Sequence, residues 1–366
     1  MAYGVDILAD GTNAADLMGA SLVEVHERVW QPTTYYIRYP VTNTDGDLVP
    51  LTDDRLSPGA DLAVFQRSQG FNECLVKGQV FSQQIKLLHG TDGSMVEVIG
   101  ADALLRMDRA TKITQWPDNT SDADAVSSIV SNYGLTPDIT DTDTRHLEDK
   151  RTLIQHDTDL NFCRMLARRN GYLFWVRCDA DLVETAHFAP PPLESDDAAL
   201  LTLNLDNPTL DAFDISWDVE RPTTVIAQGW DGGAKEALNA ENIEEPTGFP
   251  GDIRLSEIAG GDPRTASLIA AVSDVGDLSA RARGVLLESS WFLTATCTVS
   301  AARLGRVVRA HSIVQVDGVG SRYSGFYFVA AVRHIIDESD HRMELTLMRS
   351  GWKASGAGVG FLGGLV

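Results

Sequence analysis

At 366 residues with 43% hydrophobic content, the chain is long enough for two or three domains, each with its own core, so disorder is excluded as its overall state. A formal net charge of -22, from 52 acidic against 30 basic residues, speaks against general nucleic-acid binding, because phosphate attraction needs a basic surface. No apolar run reaches the roughly 18 residues of a membrane-spanning helix, and the opening MAYGVDILADGT lacks the basic-then-apolar order of a signal peptide.

Lysine occurs only at Lys77, Lys86, Lys112, Lys150, Lys235 and Lys353. An acidic, lysine-poor surface is what high salt selects, since bulk ions screen its self-repulsion. That pattern fits a halophilic host, and equally an acidic protein from a GC-rich genome.

Residues 1–20 are small and polar and predict a flexible arm. Residues 21–100 predict a first antiparallel β-barrel domain. Its strands fall in SLVEVHERVW, TTYYIRYPV, Leu62–Gln66, Glu73–Leu88 and Ser94–Ile99, and His89-Gly90-Thr91-Asp92-Gly93 supplies a turn. No helix separates these strands, which disfavours βαβ units. Residues 101–188 predict a small α+β insert. Helices are expected at Ala101–Arg109, at Asp122–Tyr133 ahead of Gly134, and at Asp157–Arg169, capped by Asp157 or Thr158 and stopped at Asn170-Gly171. A hairpin follows over Tyr172–Arg177 and Leu182–Phe188.

The run Ala189-Pro190-Pro191-Pro192 opens a linker over 189–198. Residues 199–352 predict a second β-barrel domain, interrupted by a loop at 231–264 and a long helix at 265–289. The best-defined element lies at its end, Ser321 to Trp352. There Phe326, Phe328, Ala330 and Val332 alternate with Tyr327, Val329, Ala331 and Arg333. Past a polar turn, Met343, Leu345 and Leu347 alternate with charged and polar neighbours. This is a β-hairpin. Its first arm is apolar on both faces, so it is central in a sheet or covered on its second face by the insert or another subunit. Residues 353–366 form an apolar, glycine-rich tail carrying Phe361, Leu362 and Leu365, expected to be covered by a partner.

No pattern supports chemistry. The eight histidines include no H-x-x-x-H pair, and Cys74, Cys163, Cys178 and Cys297 include no C-x-x-C, which predicts buried free thiols and no metal site. There is no G-x-S-x-G elbow and no P-loop. His334 and His341 flank an acidic turn but read as part of a loop, and Asp157 and Asp159 read as helix-start residues. The expectation is no catalytic residue, no cofactor and no metal.

Three stretches resemble one family. LIQHDTDLNFCRMLARRNGYLFWV, Leu153 to Val176, is similar to a Q-x-x-E-T-D-x-N-F-x-x-R-L-A-E-x-x-G-x-x-F-x-F segment. TTVIAQGW at 223–230 resembles a V-x-V-x-G-W strand. Gly325, Tyr327, Val329, His334 and Arg349 fall on a terminal G-x-Y-x-V…H…R pattern. The family is the phage late control gene D, or tail baseplate hub, family, which also forms the first part of VgrG-type spike proteins. Arg168 and Arg169 depart from it, standing where the family has acidic residues.

The resemblance implies a mainly β fold, with two tail-tube-like barrels flanking the insert. It also implies a homotrimeric, pseudo-sixfold ring that joins a hexameric tail tube to a trimeric spike or tip, in the virion tail or baseplate of a tailed virus or in a contractile injection system, assembled in the host cytoplasm. The implied partners are the tail tube or tube-initiator protein, a separate spike/tip protein, baseplate wedge proteins and the tape-measure protein, with no stable nucleic-acid binding and no membrane insertion. Tyr323, Phe326, Tyr327, Phe328, Val329, Val332, Phe361, Leu362 and Leu365 are the structural and interface candidates. Two other classes stay open on the residues: a carbohydrate-binding β-sandwich using Trp30, Tyr35, Tyr36 and Tyr39, and a cell-envelope hydrolase with a dispersed site.

Overall fold

The computed structural model of the chain describes residues 4–14, 17, 19–44, 47–67, 72–90, 92–231, 235–240, 252–258, 263–272 and 274–353. Six strands of the first half are β1 (Val5–Ala9), β2 (Leu22–Arg28), β3 (Thr34–Pro40), β4 (Asp61–Gln66), β5 (Glu73–Lys86) and β6 (Met95–Ala101). They pair antiparallel in the order β2-β3-β6-β5-β4-β1. Period-two alternation sends Val23 and Val25, Tyr35 and Ile37, Leu62 and Val64, and Val96 and Val98 to one face. The sheet curls around that face as a barrel-like unit.

The N-terminal segment departs from the expected arm. Val5–Ala9 is a sheet strand paired with β4, and Ile7 is 1% exposed. Val5, Ile7 and Ala9 enter the core, while Leu8 meets Phe65, Cys74 and Cys178 on the outer face. A strand this short shows only two or three apolar positions, and here they are diluted by Ala, Gly and Asp.

The insert begins where β6 ends. Ala101 belongs to that strand, and helix is confined to Leu104–Met107 rather than the expected Ala101–Arg109. Buried Asp102 makes the corner, accepting from Thr33 N at 2.8 Å and Leu104 N at 3.0 Å. Helix α1 (Asp122–Asn132) starts at a capping box in which Ser121 and Asp124 bond each other's backbone N–H at 3.0 Å. Helix α2 (Asp159–Asn170) is capped by the Thr158 hydroxyl and stopped by Gly171 at φ 70. The hairpin of β7 (Leu173–Cys178) and β8 (Glu184–Ala189) completes a core running from Ala103 to Phe188.

The second half adds β9 (Ala199–Thr202), β10 (Phe213–Trp217), β11 (Thr224–Asp231), β12 (Glu236–Ala240), β13 (Thr265–Ala271), α3 (Val275–Ser290), β14 (Leu293–Ser300), β15 (Ile313–Asp317), β16 (Gly325–Ile336) and β17 (His341–Arg349). Two expectations are corrected here. Residues 265–289 are not one helix: Thr265–Ala271 is a strand parallel to β11, and the helix starts at Val275, capped by Asp274. In TASLIAAV the alternation of Ala266, Leu268, Ala270 and Val272 overrides the helix preference of alanine. Nor is 231–264 simply a loop. Glu236–Ala240 is a strand, and short elements occupy Ile253–Arg254 and Leu255–Ile258, while 241–251 lie outside the described residues. Strands β12-β11-β13 and α3 enclose their own core, a lobe on the second β unit.

Strands β14, β15, β16 and β17 surround the second β core. The hairpin of β16 and β17 forms as its alternation predicts, and β16 is the branch point of the molecule. Its first part, Gly325–Phe328, pairs with β15, and its last part, Ala331–Ile336, pairs with β2 of the first unit. A bulge between Val329 and Ala331 marks the change of partner. Both units thereby share one 13-stranded sheet. Tyr327, Val329 and Val332 enter the second core and Ile336 the first. On the opposite face Phe328 and Ala330 pack against Leu173 of the insert and Trp291, which accounts for a strand apolar on both sides.

Replacing Val329 or Val332, at 0% and 1% exposure, with Asp puts an unpaired carboxylate into the second core. The expected cost is several kcal/mol, about 3 or more. Val332→Asp should fail to give a cooperative thermal transition, whereas Thr298→Asp on the exposed face of β14 should unfold within a few degrees of wild type.

Candidate assembly interface

Where the two β units meet, the structure buries charge. Glu27 of β2 is 5% exposed and Arg309, in the segment before β15, 8%. Arg309 Nε donates to Glu27 Oε1 through a very short contact, and Ala310 N donates to Glu27 Oε2 at 2.8 Å. The other guanidinium nitrogens donate to the carbonyls of Cys74 and Leu75 on β5, at 2.7 and 2.8 Å. One side chain from the second half is therefore tied to two strands of the first. Burial works against the charge on Glu27, but Arg309 and His334 outweigh it and hold its carboxyl well below the usual range.

His334 and His341 extend this network. Their rings lie 3.0 Å apart, Nδ1 to Nε2, both fully enclosed, and His334 Nε2 sits 3.4 Å from Glu27 Oε1. The proton of His334 thus belongs on Nε2, facing the carboxylate, and its Nδ1 accepts from His341 Nε2. Burial depresses both, His341 to about 3, so the pair is neutral at physiological pH. These histidines hold a junction, and among the described residues no group of His, Cys, Asp and Glu is arranged to take a metal. All four cysteines are buried free thiols.

The terminal pattern has a steric meaning. Arg349, 1% exposed, donates from Nη1 to the carbonyls of Tyr323 and Ser324 at 3.2 Å, and its guanidinium lies 5.3 Å from the Tyr327 ring centroid. Gly325 has φ 136, and a Cβ there would lie 3.3 Å from Arg349 Nη2. Glycine admits the arginine, which stabilises the turn into β16.

Of the interface candidates, Tyr327, Phe328, Val329 and Val332 are buried within the chain and act as core. Tyr323 and Phe326 are half-buried. Phe361, Leu362 and Leu365 lie outside the described residues. No aromatic platform forms from the candidate sugar-binding residues: Tyr35 and Tyr39 are core, Tyr36 meets the His26 ring at a tilt, and Trp30 turns towards Arg168.

The exposed apolar residues are elsewhere. Phe81, Ile85, Leu87 and Leu88 run along the far part of β5 and its turn. Ile226, Trp230 and Ile269 stud the outer face of the β12-β11-β13 lobe, and Trp217 is 52% exposed on β10, the strand at one end of the shared sheet. An unpaired edge and apolar positions are what a subunit contact uses. The apolar run on either side of His89-Gly90-Thr91-Asp92-Gly93 could have shown the first group; of the second, Ile226 and Trp230 lie in TTVIAQGW, already read as a strand, and Ile269 was hidden inside the supposed helix.

Comparison with known proteins places this architecture. A family model described as the Alg8 N-terminal domain matches residues 3–338. No curated protein matches the chain. Among solved structures, the chain is similar to the 43 kDa tail protein of prophage MuSo2 from Shewanella oneidensis, with a TM-score of 0.63 and 14% identity over 95% of this chain and 98% of that one. It is also similar to a tail protein from Neisseria meningitidis, with a TM-score of 0.64 and 14% identity over 95% and 97%. A type VI secretion system component from E. coli, itself described as structurally similar to bacteriophage tail proteins, gives a TM-score of 0.55 and 12% identity over 95% of this chain and 76% of that one. The fold is that of tail proteins.

Two outcomes follow from the junction. Arg309→Met leaves Glu27 buried without its cation and should cost about 3–5 kcal/mol in denaturant unfolding; Glu27→Leu added to it should recover part, not all, because the carbonyls of Cys74 and Leu75 stay unpaired. Below its ordinary pKa of 6.5, unfolded His341 takes a proton that the folded chain refuses until about pH 3. The wild-type stability margin over His341→Asn should therefore shrink by about 2 kcal/mol between pH 7 and pH 5, and a constant margin would show that the pair is not held neutral.

Proposed function

Because the chain belongs to the Alg8 N-terminal domain family, and its fold is that of tail proteins over nearly the whole length of two of them, we propose that it is a structural component of a phage-tail or injection-machine baseplate. The finer reading is a hub. Each chain carries two barrel-like units side by side in one sheet, joined through β16 and β2. Three copies then present six such units, a pseudo-sixfold ring suited to a hexameric tail tube on one side and a trimeric spike or tip on the other. Tube-initiator, wedge and tape-measure proteins are the remaining neighbours in this reading.

The single observation that carries it is the shared sheet. Two units hung on a flexible linker would have no fixed spacing, whereas a strand hydrogen-bonded to both sets it.

We assign the open concave face over β14, β17, β16 and β2 to the wall of the channel. It is lined by Thr296, Thr298, Thr346 and paired charges, with Arg333 bridging Glu24 at 2.9 Å and Glu344 at 3.2 Å. This wall is hydrophilic and nearly charge-balanced. The acidity of the chain as a whole therefore has to act elsewhere, and long-range repulsion of nucleic acid is the role we retain for it.

The test is the assembly state. Light scattering of the full chain in high salt should give a trimeric mass, and electron micrographs should show rings with six lobes. A monomer across the accessible concentration range, with no rings, would sink the hub reading.

A further inference from the structure

Helices α2 and α3 cross at Gly284, where an added Cβ would lie 2.6 Å from the carbonyl oxygen of Arg168. That close approach gathers Arg151, Arg164, Arg168, Arg169 and Arg281 around a cleft of about 680 Å³ whose lining carboxylate, among the described residues, is Glu288. In a chain of net charge -22 this is an unusual concentration of cations. Two of the five are satisfied: Arg169 forks onto Asp122, and Arg281 Nε reaches Asp277 Oδ1 at 2.7 Å.

The other three have no carboxylate partner among the described residues. Arg151 Nη1 and Arg164 Nε and Nη2 are buried without a hydrogen-bond partner. Arg168 rests on the Trp30 ring, 4.6 Å from its centroid, and among the described residues no carboxylate pairs with it. Burial pulls Arg151 and Arg164 down from the usual arginine range; Arg281 adds to this at Arg151 against Asp277, while at Arg164 Asp108 and Asp102 oppose it more than Arg168 adds to it. Arg151 and Arg164 are half-buried, and shielded guanidinium nitrogens without a partner carry a cost that an anion removes. Trp30 is itself held at φ 67, a conformation rare for a large side chain.

Next to the arginines, sharing Trp30, Arg168, Gly284 and Glu288 with them, lies an apolar hollow of about 400 Å³. Val29, Leu173, Leu287, Trp291, Phe328 and Met348 line it, with Arg28 and Arg221 at its margin. A cationic wall beside an apolar hollow calls for a ligand with carboxylates and one large apolar side chain.

We propose that this cleft is a binding site for an acidic peptide segment of a neighbouring protein. Arg151, Arg164 and Arg168 take its carboxylates, and the hollow takes an aromatic or aliphatic side chain. Charge complementarity selects this occupant. A nucleic acid carries a phosphate at every step of its backbone, so the field of the whole chain opposes it more than a short segment with a few carboxylates. That the segment's owner is a tail protein rests on the assembly reading; the site itself does not, and it is tested on the isolated full chain.

Calorimetric titration with a synthetic peptide, acetyl-Glu-Asp-Trp-Glu-Asp-amide, supplies the measurement, against its Gln-Asn-Trp-Gln-Asn counterpart and a short oligothymidylate. The acidic peptide should bind at least about tenfold more tightly than its amide counterpart. The pair Arg164→Gln with Arg168→Gln should lose at least about tenfold in affinity. Arg168→Gln alone, at an exposed position, should lose several-fold with thermal unfolding unchanged, which covers instability of the double variant. Absence of binding, equal binding of the amide peptide, or wild-type affinity in Arg168→Gln overturns the proposal. So does tighter binding of the oligothymidylate, which would make the cleft a nucleic-acid site. A chain that fails here yet forms trimers leaves the hub reading intact, and a monomer that binds the peptide separates the two in the other direction.

Discussion

The ion pair of Glu27 and Arg309 is the constraint on which the two-unit architecture depends. Burying both charges is expensive, and such a pair rarely adds net stability over apolar replacements. What it fixes is register. Glu27 faces inward from β2 opposite Val332 of β16, and a one-residue slip between those strands would turn the carboxylate to the other face, leaving Arg309 alone in the core. Arg309 also ends on two β5 carbonyls, so the slip would break contacts in three elements at once. The spacing of the two cores is thus set by polar geometry, while the cores supply the hydrophobic driving force.

Legibility in the sequence followed the length of the alternating pattern. The hairpin of β16 and β17 could be read because its alternation runs for many residues around a polar turn. Its two apolar faces correctly implied cover on both sides. β1 and β13 were missed for opposite reasons. β1 is too short and too rich in small residues to show a period; β13 lies in an alanine-rich run where helix propensity and strand alternation coincide, and pairing with β11 decided the outcome. The lobe built on β11, β12, β13 and α3 followed that error into obscurity, since a strand taken for helix leaves a sheet with too few members.

At the level of single residues, the pattern Gly325, Tyr327, Val329, His334 and Arg349 was visible but its cause was not. Gly325 and Arg349 are one device, a missing Cβ and the guanidinium that fills the space. His334 belongs to a neutral pair against Glu27, a partner some three hundred residues away that no local motif could name. Asp159 shows the same limit. Read as a helix-start residue, it is 1% exposed and accepts from Lys112, Gln155 and Tyr133, at 2.5, 2.7 and 2.7 Å. Capping falls instead to Thr158. A helix-dipole argument explains why an acid is tolerated there, but not why three donors from separate segments converge on it.

The arginine cleft sharpens what the acidity of the chain means. With carboxylates outnumbering cations, every arginine has acids available, and the ones that matter to the fold find them: Arg309, Arg169, Arg281 and Arg333 are all paired. Leaving Arg151, Arg164 and Arg168 without an ion pair among the described residues of such a chain is therefore not a shortage of anions but a consequence of placement, with α2 and α3 pressed together at Gly284 and, among the described residues, Glu288 as the acidic side chain on the lining. Arg168 and Arg169, which break the resemblance at the end of α2, now divide into two roles. Arg169 turns inward and closes the insert on Asp122; Arg168 turns outward over Trp30. A surface that repels polyanions at long range can still select one acidic segment at short range, because the repulsion is screened by salt over about 10 Å while a desolvated guanidinium contact is not. An acidic protein with a cationic recess thus gains specificity from its overall charge: weak anions are kept away, and a ligand shaped to reach the recess reaches the arginines.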